Sequence, residues 1–168
     1  MSKKLLVLFL AFFTVSCNFF SQDYSKFICP LVKIPRDTAY LKRFTGNRED
    51  YRITVTGYEG FCYLDTASNE FKAVLSPTFV IRRLQPTNES DIHFSFYTET
   101  LKGPPEFLGK RGFFEHVNMP LDAAEIEFKG KSVEVRIPEN MKYDFDINLG
   151  LILSVSDRDI NRRTFDTE

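Results

Sequence analysis

The sequence predicts an all-β fold, an antiparallel β-sandwich, from three observations: short runs alternating apolar and polar residues, turn residues recurring between them, and scarce helical periodicity. Alternation with a period of two marks a strand that has one face on a core and the other in water. Tyr51, Ile53 and Val55 alternate with Arg52, Thr54 and Thr56, and Gly57 and Gly60 are expected to end that run. Residues 61–64 and 71–84 follow as extended arms about the polar stretch 65–70, the pattern of a hairpin. Pro77 interrupts the second arm and cannot donate to a ladder, so an edge position or a bulge is expected there. Arg82 and Arg83 fit a charge device on such an edge.

Ile92, Phe94 and Phe96 against His93, Ser95 and Tyr97 make the next strand. Gly103-Pro104-Pro105 turns the chain into an extended run over 107–117, with bulges expected at Gly109 and Gly112. Lys129-Gly130-Lys131 separates 124–128 from the alternation of Val133, Val135 and Ile137, and Pro138 and Asn140 make a further turn. The last strand carries Tyr143, Phe145, Ile147, Leu149 and Leu151 on one face and Asp144, Asp146 and Asn148 on the other. A helical turn is expected over 156–163, where Ser156 and Asp159 have the spacing of a capping box. About seven to eight strands result, with an immunoglobulin-like sandwich the first expectation and an up-and-down barrel the second. Eighteen phenylalanines and no tryptophan predict that Phe fills the space between the sheets.

The chain begins with Lys3 and Lys4, an apolar run over 5–15, and Ser16 immediately before Cys17. That order is a secretory signal, and its apolar run falls short of the roughly 20 residues that a membrane-spanning helix needs. A cysteine straight after the cleavage site resembles the lipobox of bacterial lipoproteins, in which the thiol receives a diacylglycerol. Val15 and Ser16 suit that pattern, while Thr14 stands where leucine is usual. The expected organisation is a signal peptide over 1–16, a lipidated tether over 17–28 that brings Phe19 and Phe20 to the membrane interface, and one domain over 29–168. Asn18 is not the Asp that retains such proteins at the inner membrane, so a periplasm-facing site on the outer membrane is favoured.

Without residues 1–16 the chain keeps 20 basic residues against 23 acidic, a net charge of −3. No stripe of Lys and Arg stands out against that balance, which excludes nucleic acid as the expected partner. Cys29 and Cys62 are the two cysteines left once Cys17 is modified, and export to an oxidising compartment predicts a disulfide between them. Two buried thiols packing as small hydrophobes are the alternative.

The words Cys29-Pro30-Leu31-Val32, Asp37-Thr38-Ala39-Tyr40-Leu41 with Phe44, and the second cysteine in Cys62-Tyr63-Leu64-Asp65 resemble a family of small alphaproteobacterial envelope lipoproteins of uncharacterised function. Gly150-Leu151-Ile152-Leu153 and Asn161-Arg162 extend the likeness over most of the mature chain. The resemblance implies an envelope address and no catalytic residues.

Candidate chemistry is sparse. Asp144, Asp146 and Asn148 open like a calcium loop, but the sixth and twelfth positions hold Leu149 and Val155 instead of Gly and Glu, so a solvated strand face is expected. Cys29, Cys62, His93 and His116 could supply zinc ligands, yet their spacings match no compact metal motif, and no metal or cofactor is expected. No G-x-S-x-G elbow occurs, and the neighbouring Asp157 and Asp159 are read as a chance carboxylate pair. Phe113 and Phe114 are neighbours on one run, so on a regular strand one of them reaches solvent and offers a partner contact. A bulge at Gly112 or cover on both faces would hide both, and that arrangement is the favoured one.

These readings predict a non-enzymatic interaction module. It is held at the membrane by acyl chains on Cys17 and docks on another envelope protein. The alternative is a carrier whose Phe-rich strands line a cavity for a lipid or other hydrophobic ligand.

Overall fold

The computed structural model describes residues 29–86, 88–102, 106–137 and 145–165, which contain nine strands and one α-helix. In chain order the strands are β1 (Leu31–Lys33), β2 (Tyr40–Thr45), β3 (Arg48–Asp65), β4 (Glu70–Arg83), β5 (Asp91–Lys102), β6 (Glu106–Asn118), β7 (Glu125–Lys129), β8 (Val133–Ile137) and β9 (Asp146–Leu151). Helix α1 spans Val155–Phe165, and a 3-10 turn at Arg36–Thr38 links β1 to β2. Two sheets pack face to face, so the fold is the expected all-β sandwich. Sheet I has the order β1-β9-β5-β6, with β1 parallel to β9, and sheet II has the order β2-β3-β4 with β7 and β8 both against β4.

Alternation decides what lies between the sheets. Ile53 and Val55 of β3, Phe71, Ala73, Leu75, Phe79 and Ile81 of β4, Ile92, Phe94 and Phe96 of β5, and Ile147, Leu149 and Leu151 of β9 are all buried in one cluster. Phenylalanine bridges the layers as predicted. The fully buried ring of Phe79 in sheet II meets Phe94 and Phe96 of sheet I at centroid distances of 4.9 and 5.4 Å, and Phe128 at 5.6 Å. The tilted and edge-on geometries are those that aromatic quadrupoles favour.

Several sequence expectations change. Gly57 and Gly60 do not end the strand at Val55. Instead β3 runs on to Asp65, with its register against β4 shifting between Val55 and Gly57. The extra residue flips the apolar phase, which is why the alternation looked broken. Pro77 lies in a central strand, between β3 and the β7–β8 side. β8 pairs with Phe71 to Leu75 and β7 with Thr78 to Arg82, and Pro77 falls in the gap between them. Its carbonyl accepts from the Gly130 N–H at 2.8 Å, and the N–H that proline lacks would point to that same gap.

β4 being central, Arg82 and Arg83 are not an edge device. Arg82 donates to Glu125 of β7 at 2.6 Å. Arg83 donates to the carbonyls of Pro120, Leu121, Ala123 and Glu89 at 2.7–3.2 Å, tying two loops together. The helix is capped two residues earlier than Ser156 and Asp159 implied. The Ser154 hydroxyl accepts the Asp157 N–H at 3.2 Å and donates to its carboxylate at 2.7 Å. The buried Asn161 then docks the helix, donating to the carbonyls of Asp37 and Tyr40 at 3.0 and 2.9 Å. The expected turns at Gly103-Pro104-Pro105 and at Pro138 and Asn140, the residues Tyr143 and Asp144, and the signal and tether lie outside the described residues.

The two ends of the sandwich are closed differently. On the β6 side, Lys131 in the β7–β8 connection donates its N–H to the buried Glu115 carboxylate and its ammonium to the Phe114 carbonyl. On the β1 side, a disulfide joins Cys29 to Cys62 across the sheets, with the Cα atoms 5.7 Å apart.

Candidate functional site

The outer face of sheet I divides into a covered half and an open half. On this face His93 lies opposite His116, Ser95 opposite Phe114, and Tyr97 between Gly112 and Gly150. The 3-10 turn covers the Tyr97 half, where the buried Thr38 hydroxyl meets the Tyr97 hydroxyl at 3.1 Å. Glycine at 150 permits this approach, because a Cβ there would lie 2.3 Å from Thr38 Oγ1. The Lys110 ammonium also lies over the Tyr97 ring, 3.6 Å from its centroid.

The open half is aromatic. Phe114 keeps 56% of its surface in solvent and Ile152 keeps 43%. His93 stacks on Phe114 at 5.6 Å and on His116 at 4.5 Å, the ring planes within 18° of parallel in both pairs. His116 Nε2 lies 3.1 Å from Asp91 Oδ1, which also accepts from the Asn118 amide at 3.1 Å. The Asn118 amide first, and His116 next, hold the Asp91 carboxyl below the usual carboxylate range. Beside His93 opens a cleft of about 290 Å³ edged by Arg43, Phe44, Asp50, Tyr51 and Glu89. Burial, and then Glu89, push the Tyr51 hydroxyl up. Three stacked flat rings rimmed by polar groups form a platform with low side-chain entropy, suited to holding another surface.

The two neighbouring phenylalanines separate. Phe113 turns inward and stacks on Phe96 at 5.1 Å, while Phe114 turns out. The favoured concealment of both is therefore wrong. The β5–β6 register is regular from Asp91 to Thr100 and shifts only between Thr100 and Leu101, so Gly112 forms no bulge. Its missing side chain instead leaves room for Ile152, whose Cδ1 lies 3.0 Å from where a Cβ would stand.

The four zinc candidates divide between distant places. Cys29 and Cys62 form the disulfide, whereas His93 and His116 meet on sheet I. Among the described residues no group of three or more His, Cys, Asp or Glu side chains is disposed to hold a metal ion. Asp146 pairs with Lys33, and Asn148 donates to Glu99 at 3.2 Å. Asp157 is occupied by the helix cap, and Asp159 lies 3.9 Å from Arg162. Cys17 lies outside the described residues. Among the described residues, no helix is long and apolar enough to cross a membrane.

A second polar cluster, on the outer face of sheet II, was not anticipated. Lys72 bridges Asp65 at 2.8 Å and Glu134 at 3.3 Å, and Glu134 accepts from the Tyr63 hydroxyl at 2.8 Å. The Lys72 ammonium first, then the Ser68 hydroxyl and the Ala67 N–H, pull the Asp65 carboxyl down to about 2. A folded value below the unfolded one means that these bonds stabilise the fold above the ordinary carboxylate range, and that their contribution fades as pH falls toward 2. Carboxyl-carbon NMR is expected to place the Asp65 midpoint at about 2, and Lys72→Met should raise it toward the normal value. A native midpoint close to the usual aspartate value of about 3.9 would contradict the arrangement.

Comparison of the chain with protein-family models, with curated proteins and with solved structures finds no match.

Proposed function

We propose that this protein is a lipid-anchored, periplasm-facing lipoprotein of the outer membrane, whose β-sandwich acts as a non-enzymatic interaction module for another envelope protein. The observation that carries the docking part is Phe114, more than half exposed at one end of the ring stack it forms with His93 and His116, on the same open face as Ile152. Leaving a large ring in water forgoes roughly 2 kcal/mol of burial. A partner that covers it recovers that energy, and the histidines and Asp91 supply polar contacts at the rim. The anchor rests on the Val15-Ser16-Cys17 signal, and the family resemblance agrees with it.

The carrier reading needs space between the sheets. There Phe79 meets Phe94, Phe96 and Phe128, and Phe94 meets Phe128, which favours the module.

The test is affinity purification from detergent-solubilised membranes. The tagged protein is expected to recover the same envelope protein reproducibly, and Phe114→Ala should weaken capture by roughly 30-fold, the effect of an aromatic hot spot worth about 2 kcal/mol. Leu121→Ala, at an exposed apolar residue on a loop outside the platform, serves as the control. Failure to recover a reproducible partner, or equal capture by the Phe114 and Leu121 variants, would contradict the docking face.

A further inference from the structure

The disulfide edge carries apolar side chains that the core does not use. Beyond Thr54, β3 pairs no further with β2, so among the described residues its 57–65 stretch has no strand neighbour on that side. Cys62 lies in this stretch and binds Cys29, two residues before Leu31 of β1. Around the bond, Phe61 is 61% exposed, Leu31 59% and Tyr58 40%. Phe61 projects on the outer side of sheet II and Leu31 on that of sheet I, so the two flank the rim. Of the nearby charges, Lys33 pairs with Asp146 and Glu59 with Lys129 at 2.7 Å, while on the outer face of sheet II beside Tyr63 the single ammonium of Lys72 serves both Asp65 and Glu134.

We infer that this rim is a membrane-contact surface: Phe61, Leu31 and Tyr58 sit in the interfacial layer of a phospholipid bilayer. The inference rests on acylation of Cys17, and the length of chain from there to the disulfide selects the occupant. Even fully extended, the 12 residues from Cys17 to Cys29 span only about 40 Å, close to the ~35–40 Å diameter of a domain this size. The chain enters the domain at Cys29, and the disulfide fixes that entry point on β3. The rim is thus the part of the surface tethered nearest the anchor. Aromatic and aliphatic groups without net charge suit the boundary between headgroups and acyl chains. β6 is three strand spacings from β1, about 14 Å across sheet I, so the Phe114 platform then lies away from the lipid.

The chain contains no tryptophan, so one introduced indole is a clean reporter. The full-length protein, purified from membranes, carries Phe61→Trp, Tyr58→Trp or Phe114→Trp and is reconstituted into phosphatidylcholine vesicles with or without brominated acyl chains. Emission from position 61, and from 58, is expected to shift to the blue and to fall roughly twofold or more with brominated lipid, as for an indole at the interface. Emission from 114 should be unchanged. The intact mass of each preparation reports acylation. An acylated protein whose indoles at 61 and 58 are quenched no more than that at 114 would overturn the rim assignment while leaving the anchor standing. An unacylated Cys17 would overturn both. A blue shift at 61 that does not respond to bromine would point to protein contact at the rim and also overturn the inference.

Discussion

Removing the disulfide is expected to lower stability by about 3–4 kcal/mol, a large share of the 5–15 kcal/mol that holds an ordinary domain folded. Cys29 and Cys62 are 33 residues apart, and on the chain-entropy account a loop of that length supplies a figure of that size. The structural consequence is specific. β1 has only three residues, paired with β9, and Lys33 adds one exposed ion pair to Asp146. Such a pair contributes little by itself. Cys62, half-buried against the core, is the covalent tie that keeps the segment seated. Denaturant unfolding of Cys29→Ser with Cys62→Ser should show the loss, with hydrogen exchange rising first at Leu31–Lys33. An unfolding midpoint unmoved by both the substitutions and by reductant, or alkylation of both thiols before reduction, would contradict it.

Phe79→Ala is expected to cost about 3–5 kcal/mol, while Phe114→Ala should stay within about 0.5 kcal/mol of the parent. Both residues are phenylalanines on strands, and their burial separates them: Phe79 is fully buried, whereas Phe114 is 56% exposed. Truncating Phe79 removes the contacts to Phe94, Phe96 and Phe128 and opens a cavity between the sheets. Gly130 shows how closely the space is filled, since a Cβ there would lie 2.5 Å from Phe79 Cε2. Urea titrations of the two variants compare these costs directly. Similar losses in both would mean that Phe114 is a core residue and that the platform is no docking face.

The sandwich was legible in the sequence wherever one strand face meets the core without interruption. Ile92, Phe94 and Phe96, Val133, Val135 and Ile137, and Ile147, Leu149 and Leu151 are all buried as their alternation implies. The pattern misleads where a bulge changes the phase, as between Val55 and Gly57, and where two strands share one neighbour, as β7 and β8 do around Pro77. A three-residue strand such as β1 is too short to show a period, and its parallel pairing with a strand more than a hundred residues later leaves no local trace.

The platform was half legible. The run containing Phe113 and Phe114 indicates that one ring faces out, but only the register selects Phe114. The meeting of His93 and His116 could have been found by folding the two runs about Gly103-Pro104-Pro105, which sets the histidines opposite each other. The cluster of Lys72, Asp65, Glu134 and Tyr63 could not, because Glu134 reaches it from a strand 62 residues beyond Lys72 in a chain rich in carboxylates.

The anchor is the premise of the proposed function, and the intact mass of protein extracted from membranes tests it most directly. The account predicts a chain that begins at Cys17 and carries the mass of a diacylglycerol and an amide-linked acyl group, released from membranes by detergent but not by salt. A chain that retains residues 1–16, or one beginning near residue 17 without added lipid and recovered in the soluble periplasmic fraction, would contradict it.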